Sequence, residues 1–434
     1  MNTRRDKTEP LGVPDFAGAM DGASANQPGA GDAGVVGTLD RWVATKLWEF
    51  AGRPKVEIQL WDGETAVGER YGTGVTRLRL ADRGALWTLF VDPDLNFGDL
   101  YSSGRADVEG DGGLVAFLES VYLAAESGRD SIVNRLSGRV LRGRPRSNSL
   151  TGSRDNIHHH YDIGNDFYTL WLDDAAMQYT CAYFPDPSMT LEQAQVAKLH
   201  HVCRKLQLQP GESVVEAGCG WGGLARFMAK HYGVKVRAYN ISQEQVAYAR
   251  ERAQAEGLAG QVEYVLDDYR NVSGQFDAFV SVGMLEHVGP DHYRELGGVI
   301  DACLQPLGRG LIHSIGRNRP GMMNAWIEKR IFPGAHPPAL SEMVNIFEPW
   351  NFSILDVENL RLHYAKTLEH WLQRFEQQVD VVRQRYDEAF VRAWRLYLAG
   401  SIAAFEAGSL QLFQVVFTRT HNNMLPWSRA HLYQ

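Results

Sequence analysis

Apolar positions fall into two periods along the chain. In the stretch TLDRWVATKLWEFA, Leu39, Trp42, Val43, Leu47 and Phe50 recur near helical spacing, and VEIQLWDG then alternates Val56, Ile58 and Leu60 with polar neighbours, which predicts a helix leading into a strand. TRLRLADRGALWTLFV reads as a hairpin turning at Asp82–Gly84, and FGDLYSSGRADVEGD and GLVAFLESVYLAAE as short helical pieces. From Leu199 to Gly316 strand-like and helix-like segments alternate, the pattern of a doubly wound parallel sheet. The predicted strands are Ser213–Ala217, Val234–Tyr239, Val262–Leu266, Phe276–Val282 and Gly310–Ile315, and the helices between them Gly222–His231, Ser242–Glu256 and His292–Leu304. Farther on, Leu368, Trp371, Leu372, Phe375, Val379, Val382, Tyr386 and Phe390 step by three and four, predicting one long amphipathic helix.

The expected organisation is therefore a disordered segment over 1–37, rich in Gly, Ala, Asp and Pro, a small α+β accessory unit over 38–127, a linker over 128–154 and a catalytic α/β domain over 155–434. The linker holds Arg129, Arg135, Arg139, Arg142, Arg144, Arg146 and Arg154 against one acid, Asp130, which suits either a solvated connector or contact with an anionic membrane surface. The net charge of -8 argues against nucleic acid as the main partner. No apolar run is long enough to span a bilayer, and no apolar stretch follows the twin arginine of MNTRRDKTEP. The four cysteines (Cys181, Cys203, Cys219 and Cys303) form no Cys-x-x-Cys pair. Together these features lead to the expectation of a cytoplasmic, peripherally membrane-associated protein.

The most specific local signal is SVVEAGCGWGGLARFMA, in which a strand ends at Glu216 and Gly218, Gly220, Gly222 and Gly223 form a turn opening a helix. Such glycines let a ligand approach the backbone at a strand's carboxyl end. A dinucleotide-binding fold wants an acid at the end of the next strand to hold a ribose. Here that region reads AYNISQEQ, with Asn240, whereas an acid directly before the first glycine and Asp267–Asp268 after the third strand resemble the S-adenosylmethionine methyltransferases. His158, His159 and His160 are consecutive and cannot all face one ion, so no metal site is expected.

The wider sequence is similar to the cyclopropane-fatty-acyl-phospholipid synthase family. The motifs that carry the resemblance, from about Asn156 to Phe417, are NIHHHYDIGNDFYTLWLD, MQYTCAYFPDPSMTLEQAQVAKL, VVEAGCGWGGLARFMA, VSVGMLEHVGPDHY, GLIHSIG, WIEKRIFPG and HYAKTL. The resemblance implies a Rossmann-like class I methyltransferase domain with helical insertions behind a small N-terminal α+β domain. It implies transfer of the methyl of S-adenosylmethionine to a cis double bond of an unsaturated phospholipid chain, then proton removal that closes a cyclopropane ring. A related outcome is a methyl- or methylene-branched chain. The implied base is a bicarbonate ion caged by Cys181, Glu286, His313, the backbone of Ile315 and Tyr364. The implied cofactor contacts are Tyr161, Tyr179, Thr180, Glu216, Gly218, Gly220, Trp221, Asn240, Gln245 and Asp268. Members are often homodimers. Two departures stand out: Asn240 replaces a threonine beside the cofactor, and GAHPPAL replaces a more usual GGCLPS, which bears on chain selectivity.

Overall fold

The computed structural model describes residues 34–68, 75–127 and 163–433. The first unit runs α1 (Thr38–Phe50), β1 (Val56–Gln59), β2 (Thr65–Val67), β3 (Thr76–Leu80), α2 (Arg83–Val91), α3 (Pro93–Ser102), β4 (Ala106–Glu109) and α4 (Gly113–Ser127). Its sheet has the order β2-β1-β3-β4, with β1 and β3 parallel and the outer pairs antiparallel. Val56, Ile58 and Leu60 are buried, as their alternation predicts.

The hairpin expected at Asp82–Gly84 is not formed. Asp82 accepts a hydrogen bond from the Ala85 amide at 2.8 Å and caps α2, whose Ala85, Leu86 and Leu89 face the core. An aspartate ahead of residues spaced for a helical face overrides the apparent alternation. Likewise ADVE, grouped with helical pieces by its sequence, is strand β4 paired with β3.

The second unit begins with a short helix α5 (Asn165–Tyr168) and α6 (Leu191–Lys205). It continues through β5 (Ser213–Ala217), α7 (Gly223–Tyr232), β6 (Lys235–Asn240), α8 (Gln243–Ala255), β7 (Val262–Leu266), β8 (Phe276–Val282), α9 (Tyr293–Cys303) and β9 (Leu304–Gly316). Then come α10 (Ala325–Arg330), α11 (Leu340–Phe347), β10 (Phe352–Asn359), α12 (Arg361–Gln377), α13 (Val379–Arg385), α14 (Glu388–Glu406) and β11 (Gln411–Arg419). The seven-stranded sheet has the order β10-β11-β9-β8-β5-β6-β7. Strands β5 to β9 are mutually parallel, and β11 is antiparallel to both its neighbours. All five predicted strands are present within a few residues, whereas β10 and β11 lie beyond the last strand that the sequence pattern indicates. This is the mixed α/β architecture with a seven-stranded sheet of class I methyltransferases.

The single long helix expected through Leu368–Phe390 is three. The run breaks at Gln378 and again at Tyr386, and Asp387 caps α14 by accepting from the Phe390 amide at 2.7 Å. The apolar stripe survives the breaks because all three helices bury it in one core, with Leu368, Trp371, Phe375, Val382 and Phe390 together.

The two units meet along α14 and α10. Arg392 donates to the carbonyls of Tyr101 (2.6 Å) and Ala106 (3.1 Å), and its guanidinium lies 4.2 Å from the Tyr101 ring centroid. Trp326 donates to Asp99 at 3.1 Å and lies flat on Gly98, where an added Cβ would come within 2.4 Å of the indole. In an ordinary helix interior, glycine to alanine stabilises by up to about 1 kcal/mol. Here Gly98→Ala is expected to reverse that sign and cost about 1–3 kcal/mol through overpacking, read as a lower urea midpoint, with the loss relieved in a Trp326→Leu background.

Candidate functional site

The strand order reverses between β5 and β8, and open α/β sheets bind ligands at the carboxyl ends of strands flanking that switch. There the structure has a cleft of about 730 Å³, counting the part open to solvent. Tyr179, Thr180, Glu216, Gly218, Gly220, Trp221, Asn240 and Gln245, all expected as cofactor contacts, line it. Gly218 has φ +80°, and a Cβ there would meet Met284 at 2.8 Å, so the turn's conformation and its close packing both require glycine. Asn240 braces the turn: its amide donates to the Gly220 carbonyl (3.1 Å) and to Gln245 Oε1 (2.8 Å), and its Oδ1 accepts from the Ser242 amide. Trp221 Nε1 donates to Asn165 at 2.7 Å, which fixes the indole at the cleft wall.

One expected contact is absent from the lining, and another is not described. Asp268 does not line the cleft; it is buried, caps the turn at Tyr269–Asn271 and lies 3.6 Å from the Arg270 guanidinium. Tyr161 lies outside the described residues, as do His158–His160 and the arginine-rich 128–154.

Cys181, Glu286, His313, Ile315 and Tyr364 are absent from the cleft lining, and the first three lie on segments adjoining it. Cys181 follows Thr180, Glu286 sits between the lining residues Met284 and His287, and the Gly283 amide donates to the His313 carbonyl at 2.9 Å. Glu286 Oε1 accepts from the Ile315 amide at 2.6 Å. Its Oε2 is buried with no hydrogen-bond partner. Burial raises the Glu286 carboxyl to about 7, against the pull of its own amide, the Ile315 amide and the Ser314 side chain. His313 is fully enclosed, and Gln414 Nε2 faces its Nδ1 at 3.1 Å. Burial, reinforced by the charges of Lys198, Lys205 and His201, holds His313 well below its usual range, so the ring is neutral at pH 7. Burial also pushes the Cys181 thiol up, keeping it protonated. Cys181 Sγ (3.9 Å) and the Tyr364 amide (3.2 Å) converge on the Leu360 carbonyl, and the Tyr364 ring packs 4.8 Å from that of Phe405.

Around these groups stands an aromatic wall. Trp171 lies edge-on to Tyr179 at 5.3 Å and to Trp371 at 5.6 Å, Tyr168 sits 5.0 Å from Trp221, and the Tyr179 and Tyr397 hydroxyls are 2.8 Å apart.

Lys198 was not foreseen as a site residue. Its ammonium is wholly buried and donates to Gln178 Oε1 and, at 3.0 Å, to Thr180 Oγ1, both in residues of the cleft wall. Burial lowers it to about 8, opposed by Asp173, Cys181 and Glu216. The available signal was a lysine on the buried stripe of α6, between Ala194, Gln195, Leu199 and Val202, because lysine is almost never fully buried without partners. Glu216, near the same ammonium, is raised to about 8 by burial, and its Oε2 has no partner.

Comparison with known proteins agrees with this geometry. Residues 148–415 match the family described as mycolic acid cyclopropane synthetase. A probable fatty acid methyltransferase of Pseudomonas putida is 40% identical over 300 residues, covering 67% of this chain and 76% of that protein. The cyclopropane-fatty-acyl-phospholipid synthase of Escherichia coli K12 is 44% identical over 271 residues, 62% of this chain and 69% of its own. The structure of the cyclopropane synthase MmaA2 from Mycobacterium tuberculosis superposes with a TM-score of 0.58 at 27% identity, over 61% of this chain and 98% of that one. With a glycine turn at the strand-order switch and a buried carboxyl behind it, the chain belongs to the mycolic acid cyclopropane synthetase family and is an S-adenosylmethionine-dependent lipid methyltransferase.

Proposed function

We propose that the protein methylates the cis double bond of an unsaturated phospholipid acyl chain and closes a cyclopropane ring. The observation that carries this reading is the half-satisfied carboxyl of Glu286, buried against the wall of the cleft. S-adenosylmethionine supplies an electrophilic methyl on a sulfonium. An alkene is a weak nucleophile, so the site must exclude water, and the resulting carbocation needs electron-rich neighbours. Tyr168, Trp171, Tyr179, Trp371 and Tyr397 give a wall of ring faces and edges for both tasks.

A base must then take one proton from the new methyl. Bicarbonate, the base that the family resemblance implies, fits the residues present. Two anions side by side would repel, and His313 is neutral, so the balancing proton belongs on Glu286. A carboxyl held near 7 with its Oε2 free can donate a hydrogen bond to an anion. Glu286 would hold the bicarbonate through that oxygen, with Cys181, His313, Ile315 and Tyr364 closing the cage; bicarbonate would supply the proton acceptor. The branched-chain alternative differs only in the fate of this proton, and the presence of Cys181, Glu286, His313 and Tyr364 in the chain favours ring closure.

A peripheral position on an anionic membrane from the cytoplasmic side belongs to the same proposal, with the accessory unit as the docking element. Along one face of α1, Leu39, Trp42 and Phe50 are 59%, 52% and 55% exposed, and Trp87 and Val91 of α2 are exposed too. Gly52, just past α1, packs on the Ala124 carbonyl of α4, so the arginine-rich stretch follows a helix adjoining this apolar face. Exposed aromatics on one helix face, in a unit followed in sequence by an arginine-rich stretch, suit a lipid interface. No helix among the described residues is long and apolar enough to cross a membrane. The family resemblance adds a homodimer to the proposal.

Three outcomes follow. With labelled S-adenosylmethionine and vesicles of anionic cis-monounsaturated phospholipid, the extracted lipid should gain one labelled carbon and show upfield cyclopropane protons by NMR. Glu286→Gln and His313→Ala should each lose that product by at least about 100-fold while keeping the thermal shift induced by S-adenosylhomocysteine; unchanged turnover in both would remove the cage. Secondly, Glu216 in the free protein is mostly protonated at pH 7, because its carboxyl sits near 8. The ammonium of the donor beside it favours the carboxylate, so the bound form titrates lower and binding releases roughly one proton at pH 7. Affinity therefore rises with pH up to about 8; calorimetry in buffers of different ionisation enthalpy should show this release in the wild type and not in Glu216→Gln. Thirdly, Trp42→Ser with Phe50→Ser should weaken sedimentation with anionic vesicles while leaving the unfolding midpoint unchanged.

A further inference from the structure

His313 is one member of a polar row that crosses three strands. Cross-strand register places His313 of β9 opposite Gln414 of β11, and Gln414 opposite Glu358 of β10. Paired residues on adjacent strands point to the same face of a sheet, so the three side chains lie side by side on one face. Gln414 is completely buried, its Nε2 faces His313 Nδ1 at 3.1 Å, and its Oε1 has no partner. At the far end, Glu358 accepts from His201 Nε2 at 2.7 Å and from Lys205 Nζ at 2.6 Å. Burial works against that carboxylate, and the hydrogen bond from His201 and the charge of Lys205 outweigh it, holding Glu358 near 2.

We propose that Gln414 is a positioning residue that pins the Nδ1 edge of His313, so that the ring proton sits on Nε2 and that N–H serves the cage. This rests on the cage reading of His313 given above. A neutral imidazole has one donor and one acceptor nitrogen, and the partner of one fixes the role of the other. An amide N–H directed at Nδ1 makes that nitrogen the acceptor and leaves Nε2 the donor. An anion or carboxyl oxygen near Nε2 then meets a hydrogen rather than a lone pair. The charged groups on the elements packed around the ring favour a neutral imidazole: Lys198, His201 and Lys205 come from α6, while Glu358 on β10 is paired with the last two and Glu286 reaches Ile315 on β9. Gln414 thus decides the tautomer and the cations decide the charge.

Two substitutions in the full-length protein test this, each read by turnover and by nitrogen-15 NMR of the histidine rings, with the His313 signal assigned by its loss in His313→Gln. Gln414→Met keeps the volume and removes the donor. It should move the Nδ1 resonance and lower kcat about tenfold, with the KM for S-adenosylmethionine changed less than about twofold. Gln414→Glu is a donor while protonated and an acceptor once ionised. It should match the wild type at low pH and lose kcat as that carboxyl ionises, in step with transfer of the ring proton to Nδ1. If both variants keep the wild-type His313 spectrum and the wild-type pH profile, Gln414 does not pin the ring and the inference falls. If the ring proton moves while kcat does not, the pinning stands and it is the role of His313 in the cage that fails.

Discussion

A carboxyl group buried with one oxygen satisfied and the other bare is an expensive thing for a fold to keep. Glu286 is in that state because the Ile315 amide reaches Oε1 across the strand ends while Oε2 is buried without a hydrogen bond of good geometry. A buried polar atom without a partner costs about 1–3 kcal/mol, so the surrounding fold must hold it against relaxation. Much of what surrounds it does so. The turn at Leu285–His287 is anchored when the His336 amide donates to the Glu286 carbonyl at 2.7 Å, and the Gly283 amide ties the end of β8 to His313.

Helix α6 carries the complementary arrangement. Lys198, His201 and Lys205 fall on its buried side and reach the cleft wall and the edge strand. Three nitrogen-bearing side chains in a core are tolerable because each is given oxygen partners, and their field reaches His313 on the same face of the sheet. The glycine-turn cleft and the buried His313 therefore share an electrostatic floor. A charge change on this helix acts on both.

Much of this organisation was legible in the sequence because the parallel strands are short apolar runs that end in glycine or polar residues. The glycine turn after Glu216 was equally plain, since few other uses require glycines at 218, 220 and 222. Elsewhere local signals misled. TRLRLADRGALWTLFV alternates for its first half only, and the Asp82 cap, not the alternation, decides the second half. The stripe from Leu368 to Phe390 kept helical spacing across two breaks, because the breaks obey Asp387 and the core obeys the stripe. β10 reads poorly as a strand, since an edge strand with Ile354, Leu355 and Val357 exposed lacks the inside-outside contrast of a half-buried one. A single residue such as Gln414 carries no local signature, and Lys198 carries only its place on the buried stripe of α6. Their importance comes from register and burial, which only the folded sheet defines.

The seam between the two units has a consequence for how the chain can be divided. Arg392 does not meet its neighbour through side chains alone; it is a ligand to two main-chain carbonyls and one ring of the small unit, while Trp326 uses a bare helix backbone at Gly98 as its seat. Excising the first unit would leave α14 with an unmet guanidinium and α10 with an indole facing solvent, on the same helical roof that supports the aromatic wall. The small unit is thus less an appendage than a keystone: the helices behind the aromatic wall are braced from outside the seven-stranded unit, and whatever grips the small unit also loads them.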